Sequence, residues 1–249
     1  MVLTYPKEAQ YKMSKVSRRG FDENDKRWFS QAELLKLKKA KEEVEWLMNR
    51  DYKIDSVVNF VSNRYQFSNR QRDCIKRVVC TKEKKDNRIN KRLPINKISE
   101  GTIYIDGFNL LITLEVALSK GTLIIGSDEN IRDLAGLRGT YKVIDKTEEA
   151  LNIIGDFLDK NNCKLAVFYL DAPISNSGNL KYKIIECANS WDADISVELV
   201  NNADIILEKL DRVVSSDAAV IDKCISYFNM ARVIIEEHVT DANIIDLND

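Results

Sequence analysis

Apolar residues in the first eighty positions recur three or four apart with charged residues between them, which is the spacing of amphipathic helices. The pattern predicts helices in "QAELLKLKKAKEEVEWLMNR", "SVVNFVSNRYQ" and "NRQRDCIKRVV". Ser68 and Gln71 stand in the relation of a capping box at the start of the third helix. The second and third helices, joined at "QFS", resemble a helix-turn-helix. We therefore predict a small all-α domain over residues 1–80.

A different pattern begins at Gly101, where short β-rich apolar runs alternate with amphipathic stretches. Strands are predicted at "TIYI", "TLII", "KLAVFYL", "ISVELV", "RVV" and "ARVII". Helices are predicted at "NLLITLEVALS", "TEEALNIIGDFLDKN", "LKYKIIECANSW", "ADIILEKL" and "DAAVIDKCISYF". Such alternation is typical of an α/β domain whose mostly parallel sheet is covered on both faces. This domain is predicted to span residues 101–249, and the polar, basic stretch 81–100 to be a linker.

The two predicted domains carry opposite charge. Residues 1–100 contain 25 lysines and arginines against 14 aspartates and glutamates, whereas residues 101–249 contain 13 against 25. Basic surfaces attract polyanions, and the predicted third helix carries four basic residues: Arg70, Arg72, Lys76 and Arg77. We interpret this helix as a candidate nucleic-acid contact, although two solvated surfaces would produce the same asymmetry.

Aspartates recur where predicted strands give way to helices. Asp106 ends "TIYI", Asp171 ends "KLAVFYL", Asp204 opens the helix after "ISVELV", and Asp217 follows "RVV". In a parallel sheet these strand ends lie at one edge, where ligands usually bind. Each aspartate alone could be an ordinary helix cap. Four of them at one edge would repel one another unless a divalent cation bound between them.

The composition restricts the chemistry. His238 is the single histidine, so a histidine-based triad and a multi-histidine metal site are excluded. The five cysteines form no CxxC pair, which argues against a zinc site or a disulfide framework. Dinucleotide-binding and P-loop motifs are missing as well. Without an apolar run of membrane-spanning length or a signal-peptide core, the sequence predicts a cytoplasmic protein with no membrane partner.

The stretch "YIDGFNLL" resembles the first-strand motif of the PIN-like and NYN nuclease superfamily, and "ADIILEKLDRVVSSDAAV" is similar to its later pair of motifs. The resemblance covers about residues 101–236. It implies a three-layer PIN-type fold and metal-dependent cleavage of phosphodiester bonds, most often in RNA. By position, Asp106, Asp204 and Asp217 would bind Mg²⁺ or Mn²⁺, and Asn109 would orient water or phosphate. The resemblance also makes the "SSD" serines, Ser215 and Ser216, candidate substrate contacts.

More closely, the chain resembles domain-of-unknown-function family 434 with its companion PIN-like C-terminal domain. The matching stretches are "VSNRYQFSNRQRDCIKR", "IDGFNLLITLEVALSKG", "RDLAGLRGTYK" and "LDAPISNSG". Asp171 belongs to this closer match and joins the candidate catalytic set. The "SNSG" loop that follows could bind substrate phosphate or cap the next helix, through Ser175, Asn176 and Ser177. Arg132 and Arg138, on a predicted helix, could clamp phosphate or be structural.

Together these patterns predict a metal-dependent nuclease, acting on RNA, whose basic helical domain delivers the substrate. One alternative is a nucleic-acid-binding or regulatory protein with a degenerate PIN-like domain, although none of the expected acids is missing. The other alternative is an enzyme acting on a small phosphorylated molecule, in a closed pocket lined by "SNSG" and Arg132. Pairing of two chains as a homodimer would bring two basic arms together.

Overall fold

The computed structural model describes residues 17–136 and 139–248, in which a helical region precedes an α/β region. The helices are α1 (Asp25–Trp28), α2 (Gln31–Met48), α3 (Ile54–Tyr65), α4 (Asn69–Val78), α5 (Lys82–Lys91), α6 (Gly107–Leu118), α7 (Asp145–Lys160), α8 (Ser177–Ala188), α9 (Ala203–Leu207), α10 (Ala218–Lys223) and α11 (Met230–His238). The strands are β1 (Ile103–Asp106), β2 (Thr122–Ile125), β3 (Ile131–Asp133), β4 (Leu165–Asp171), β5 (Asp194–Val200), β6 (Val213–Val214), β7 (Tyr227–Phe228) and β8 (Asn243–Asp246).

The three helices predicted for the N-terminal region are present as α2, α3 and α4, and their buried apolar faces form one cluster. The predicted capping box begins α4. The Gln71 backbone N–H donates to the Ser68 hydroxyl at 3.3 Å, and the Ser68 backbone N–H donates to the Gln71 side chain at 2.9 Å. Two otherwise unpaired backbone donors are thereby satisfied.

The main sheet is parallel throughout, with strand order β5-β4-β1-β6-β7. Val214 of β6 packs into the core beneath α6, α7, α8 and α11. Its neighbour Val213 packs into a second cluster with α9 and α10. Helices therefore cover both faces, which confirms the predicted three-layer α/β arrangement. Because β1 lies at the centre, its carboxyl end is flanked by those of β4 and β6.

A second, three-stranded sheet joins the helical region to the main domain. Its order is β3-β2-β8, with β2 antiparallel to β3 and parallel to β8. Ile124 of β2 and Ile245 of β8 pack into the same buried cluster as α2, α3 and α4. The helical region thus shares a core with this sheet. Within the described residues, no helix combines the length and apolarity needed to cross a membrane.

Two of the predicted elements have the wrong type. The stretch "ARVII", predicted as a strand from its β-branched residues, lies in α11. Its buried residues Met230, Ala231, Ile234 and Ile235 follow helical spacing, so packing overrides the local strand preference. The first two residues of "RDLAGLRG", Arg132 and Asp133, are predicted as helical but end β3, because Ile131–Asp133 pairs antiparallel with Leu123–Ile125.

Two further segments differ from prediction in extent. The helix predicted at "DAAVIDKCISYF" ends at Lys223, and Tyr227–Phe228 forms the edge strand β7. The stretch predicted as a linker contains α5, which Thr81 caps through its side chain and which packs against α10, followed by a 3-10 helix at Ile95–Glu100. α5 has almost no apolar periodicity, so the hydrophobic pattern does not reveal it. The division into domains at 80 and 100 stays a prediction.

Candidate active site

Asp106 is the last residue of the central strand β1 and lies almost fully buried at its carboxyl end. Its Oδ1 accepts the backbone N–H of Asn109 at 3.2 Å, so it caps α6, and its Oδ2 accepts the Ser215 hydroxyl at 2.9 Å. Gly107 follows because a Cβ there would lie 2.5 Å from Leu170 Cδ2 on the neighbouring strand. The carboxylate is therefore fixed by both the helix it caps and the loop after β6.

The loop after β6 brings Asp217 to the same edge. The Ser215 hydroxyl, which donates to Asp106, accepts the Asp217 backbone N–H at 3.1 Å. The Asp217 carboxylate caps α10 by accepting the Ala219 N–H at 2.7 Å. One serine hydroxyl thus links the two acidic positions, and both aspartates act as helix caps.

Asn109 is locked by the same loop. Its Oδ1 accepts both the backbone N–H of Ser216 at 2.8 Å and the Ser216 hydroxyl at 3.0 Å. A backbone N–H can only donate, so the atom facing it must be the amide oxygen. The amide NH₂ is then the polar group of Asn109 that a ligand can meet, which makes Asn109 a hydrogen-bond donor rather than a metal ligand.

Asp171, at the end of β4, and Asp204, in α9, lie near Asp217. We call the four residues Asp106, Asp171, Asp204 and Asp217 the acidic edge. Asp171 Oδ1 accepts the Ala203 N–H at 2.8 Å and so fixes the start of α9. Asp204, in the first turn of α9, is exposed, and its helix is capped by Asn202 instead. Partial desolvation raises the pKa of Asp204, and the charges of Asp217 and Asp171 raise it further.

The acids at this edge raise one another's pKa, and the Lys223 ammonium opposes this effect at Asp204. Burial raises the pKa of Asp106 to about 7. Hydrogen bonds from Ser215 and Asn109 oppose this shift, and the charges of Asp204 and Asp217 add to it. A carboxylate held in this way gains from any group that brings positive charge to the edge.

The residues fit a divalent cation in chemical type but not in their present positions. Across residues 17–136 and 139–248, no three His, Cys, Asp or Glu side chains are grouped so as to hold one ion. Both oxygens of Asp106 accept hydrogen bonds, and Asp217 is turned toward the amides of α10. The donors are all oxygens, as Mg²⁺ and Mn²⁺ prefer. Binding an ion would require the carboxylates to turn.

A cleft of about 650 Å³ lies between the helical region and the acidic edge. The edge contributes Asn109, Ser216 and Asp217 to its lining. The helical wall contributes basic side chains that keep a large exposed fraction: Lys76 at 52%, Arg77 at 39% and Lys84 at 54%. Lys76 and Lys84 pair with aspartates across partly exposed salt bridges, which contribute little and exchange readily. This cationic rim is available to an anionic ligand.

Arg70 and Arg72 do not line this cleft. Arg70 donates to both oxygens of the buried Asp25, at 2.9 and 2.8 Å, and to the carbonyl of Leu134 at 2.8 Å. Arg72 donates to the carbonyl of Phe67 at 3.0 Å. Arg70 and Arg72 are thus engaged in internal contacts. Lys76 and Arg77 of the same helix line the cleft, although Arg77 also donates to the Asp133 carbonyl at 2.6 Å.

The "SNSG" residues also lie away from the cleft and hold a neighbouring loop. The Tyr141 backbone N–H donates to the Ser175 carbonyl at 3.1 Å, and the Asn176 side chain donates to the Tyr141 carbonyl at 2.7 Å. The Ser177 hydroxyl donates to a carbonyl of its own turn. None of these three residues lines the cleft that Arg132 lines. Arg138 lies outside the described residues.

Arg132 lines the cleft, and its hydrogen-bond partners are not predicted from the sequence. Its guanidinium donates to both oxygens of Asp128 at 2.9 and 2.6 Å, and to the Ser216 carbonyl at 2.8 Å. Asp128 also accepts from Arg88 at 2.7 Å. Forty residues separate Arg88 from Asp128, so no local motif marks the pair.

The molecule is thus an α/β protein with an acidic strand-end edge, joined to a basic helical region across a cleft. Residues 95–233 match the family model "Domain of unknown function (DUF5616)", and residues 36–91 match "Protein of unknown function (DUF434)". The uncharacterized protein MJ0935 of Methanocaldococcus jannaschii is 39% identical over 191 residues, 75% of this chain and 89% of that protein. The chain belongs to the DUF5616 family and carries a DUF434 region before it. No solved structure matches.

Proposed function

We propose that this protein is a PIN-like, metal-dependent nuclease that hydrolyses phosphodiester bonds in RNA. The observation that supports this proposal best is that Asp217 lines one cleft together with the basic side chains of the helical region, Lys76, Arg77 and Lys84. Asp106 and Asp204 lie close enough to Asp217 for its charge to raise the pKa of both. Acidic oxygen donors beside a phosphate-binding rim are what phosphodiester hydrolysis without histidine requires. The sequence resemblance to PIN-like domains points to the same three acids.

The three aspartates would hold Mg²⁺ or Mn²⁺ after their carboxylates turn away from the hydrogen bonds that they now accept. A bound divalent ion supplies a water of lowered pKa and stabilises charge on the leaving oxygen. Asn109 would donate its amide N–H to a non-bridging phosphate oxygen. Its oxygen is already held by Ser216, so this donor is fixed before substrate arrives.

The cationic rim would bind the phosphates that flank the scissile bond. Lys76 and Arg77 project from the last turn of α4 and Lys84 from α5. An entering polyanion would replace the aspartates that now pair with the two lysines. Binding of this type releases counterions and weakens steeply as salt rises.

The rival function is binding of nucleic acid by a protein whose acidic edge is inactive. It is favoured by the absence, among the described residues, of three acidic side chains grouped around one ion position. The two functions share the cleft and differ only at the acidic edge, so they are separated by substitutions there.

The test pairs cleavage with stability. We expect wild-type protein to cut members of a panel of labelled RNAs with Mn²⁺ and not with EDTA, and to melt at a higher temperature with Mn²⁺. Asp106→Asn and Asp217→Asn should abolish both effects while keeping the helix caps, because Asn caps about as well as Asp. Asp145→Asn, at the exposed start of α7, is the matched control and should change neither. Cleavage that persists in both edge variants would refute the site, and RNA binding without cleavage or a Mn²⁺ effect would favour the rival.

A further inference from the structure

Four charged side chains form a buried network beneath the cleft. Their exposed side-chain fractions are 5% for Arg88, 0% for Asp128, 8% for Arg132 and 22% for Asp222. The two arginines and two aspartates balance in charge, and Asp128 joins both arginines. The Arg132 guanidinium holds the pKa of Asp128 well below its usual range against the effect of burial, and Arg88 adds to this lowering. Both guanidinium groups are therefore engaged by internal partners.

Arg132 connects three separate segments through one guanidinium. It forms a two-bond contact with Asp128, donates to the Arg77 carbonyl at the end of α4 at 3.3 Å, and donates to the Ser216 carbonyl at 2.8 Å. Ser216 lies between Ser215 and Asp217. Only the planar, five-donor fork of arginine can meet all of these acceptors at once.

Arg88 brings the helical region into the same network. From α5 it donates to Asp128 at 2.7 Å and to Asp222 of α10 at 2.6 Å. Asp217 caps α10 at its start, and Asp222 lies five positions further along that helix. The segment from Ser216 to Asp222 is thus held at its beginning by Arg132 and at its end by Arg88.

We infer that Arg132 and Arg88 are positioning residues that fix the 215–217 loop, so that the helical region forms part of the acidic edge's framework as well as a wall of the cleft. The catalytic meaning of this inference rests on the proposed function. Its structural content does not, because it concerns only how the loop is held. An ordinary stabilising ion pair would affect the whole fold and would leave the loop no more mobile than the rest.

Amide hydrogen exchange in the full chain separates positioning from general stability. The Ser216 and Asp217 amides donate to Asn109 Oδ1 and Ser215 Oγ, so their exchange reports opening of this loop. Arg132→Lys keeps the charge beside Asp128 but loses the fork. Loss of a charge-assisted hydrogen bond should speed exchange at these two amides about tenfold or more, with β1 amides unchanged.

Arg212→Lys is the matched control. Arg212 also donates to several backbone carbonyls, including Thr102 and Gly101, but these lie before the amino end of β1, away from the loop. We expect this variant to leave the Ser216 and Asp217 amides as in wild type. Equal effects of the two variants on those amides, or no effect of Arg132→Lys, would overturn the inference. If Arg132→Lys does not fold, exchange of the Ser216 and Asp217 amides is measured in Arg88→Lys instead, with Arg212→Lys again as the control.

Titration with Mn²⁺ gives a second measurement. Partners that orient metal-binding side chains typically contribute about 10- to 100-fold in metal affinity, so Arg132→Lys should weaken Mn²⁺ binding by that factor while Arg212→Lys does not. If wild type binds no Mn²⁺ and cuts no RNA, the proposed function fails, and the exchange experiment still decides whether these arginines hold the loop. Unchanged Mn²⁺ affinity in Arg132→Lys, with wild-type binding intact, would overturn the catalytic meaning.

Discussion

The buried carboxyl of Asp106 makes the stability of the metal-free protein depend on pH. Its pKa is raised from 3.8 to about 7 in the folded protein. The folded state therefore holds this proton more tightly than the unfolded state. The contribution of Asp106 to stability is fully present below about pH 4 and is lost as pH rises toward 7. A difference of about three pH units corresponds to about 4 kcal/mol of stability that disappears across this range.

Asp106→Asn should remove this pH-dependent destabilisation. Asparagine cannot ionise, can accept the Asn109 N–H, and can donate to Ser215, so both hydrogen bonds of the carboxylate have a replacement. In EDTA at about pH 8 the variant should be more stable than wild type by up to about 4 kcal/mol. Near pH 5 the difference should shrink, because the folded wild type then keeps the proton.

The measurement is urea unfolding of both proteins in EDTA at several pH values between about 5 and 8. Burial also raises the pKa of Glu115, so its contribution has the same sign in both proteins, and the difference between their stability curves isolates Asp106. If the unfolding free energies of the two proteins changed in parallel with pH, or if the variant were less stable at pH 8, the raised pKa of Asp106 would be refuted.

Three further outcomes follow from other parts of the molecule. Changing Lys76 and Lys84 to Gln should make RNA binding, measured by anisotropy, less dependent on salt. The slope of log K against log salt should fall in magnitude by about 0.7 for each phosphate that is no longer neutralised, and an unchanged slope would exclude the cationic rim as the RNA-binding surface. Gly107→Ala should lower thermal stability by about 1–3 kcal/mol, because its Cβ would clash with Leu170 at 2.5 Å; no change would mean that Leu170 yields freely. Ser68→Ala should cost about 1 kcal/mol in urea unfolding by removing the capping box, and a neutral result would mean that Gln71 alone suffices.

The sequence predicts the fold best where one short segment decides its own structure. Helices α2, α3 and α4 carry a clear helical period, and β1, β4 and β5 are apolar runs bounded by turn residues or acids. Prediction fails where partners elsewhere decide. The β-branched residues of α11 favour a strand, yet their buried positions suit a helix, and the polar α5 is held by Arg88 through ion pairs with distant aspartates.

The residues of the candidate site likewise differ in whether the sequence could predict them. Asp106, Asp204 and Asp217 were accessible to sequence reasoning because strand-end acids in a parallel sheet must share one edge. Asp128 and Arg88 were not, since an ion pair across forty residues leaves no spacing to recognise. Arg70 shows the reverse case: a basic residue in a basic helix suggests a phosphate contact, whereas its guanidinium donates to the buried Asp25.

Capping and metal binding are compatible roles for Asp106, and their energies differ. An aspartate and an asparagine cap a helix about equally well, so the bond to the Asn109 N–H gives no reason for an ionisable group. Holding that group against burial and two neighbouring acids costs about 4 kcal/mol at neutral pH in the absence of a cation. The cap explains where the side chain lies, and the charge needs a separate cause. A divalent cation at the acidic edge, the core of the proposed function, would supply that cause and restore the stability on binding.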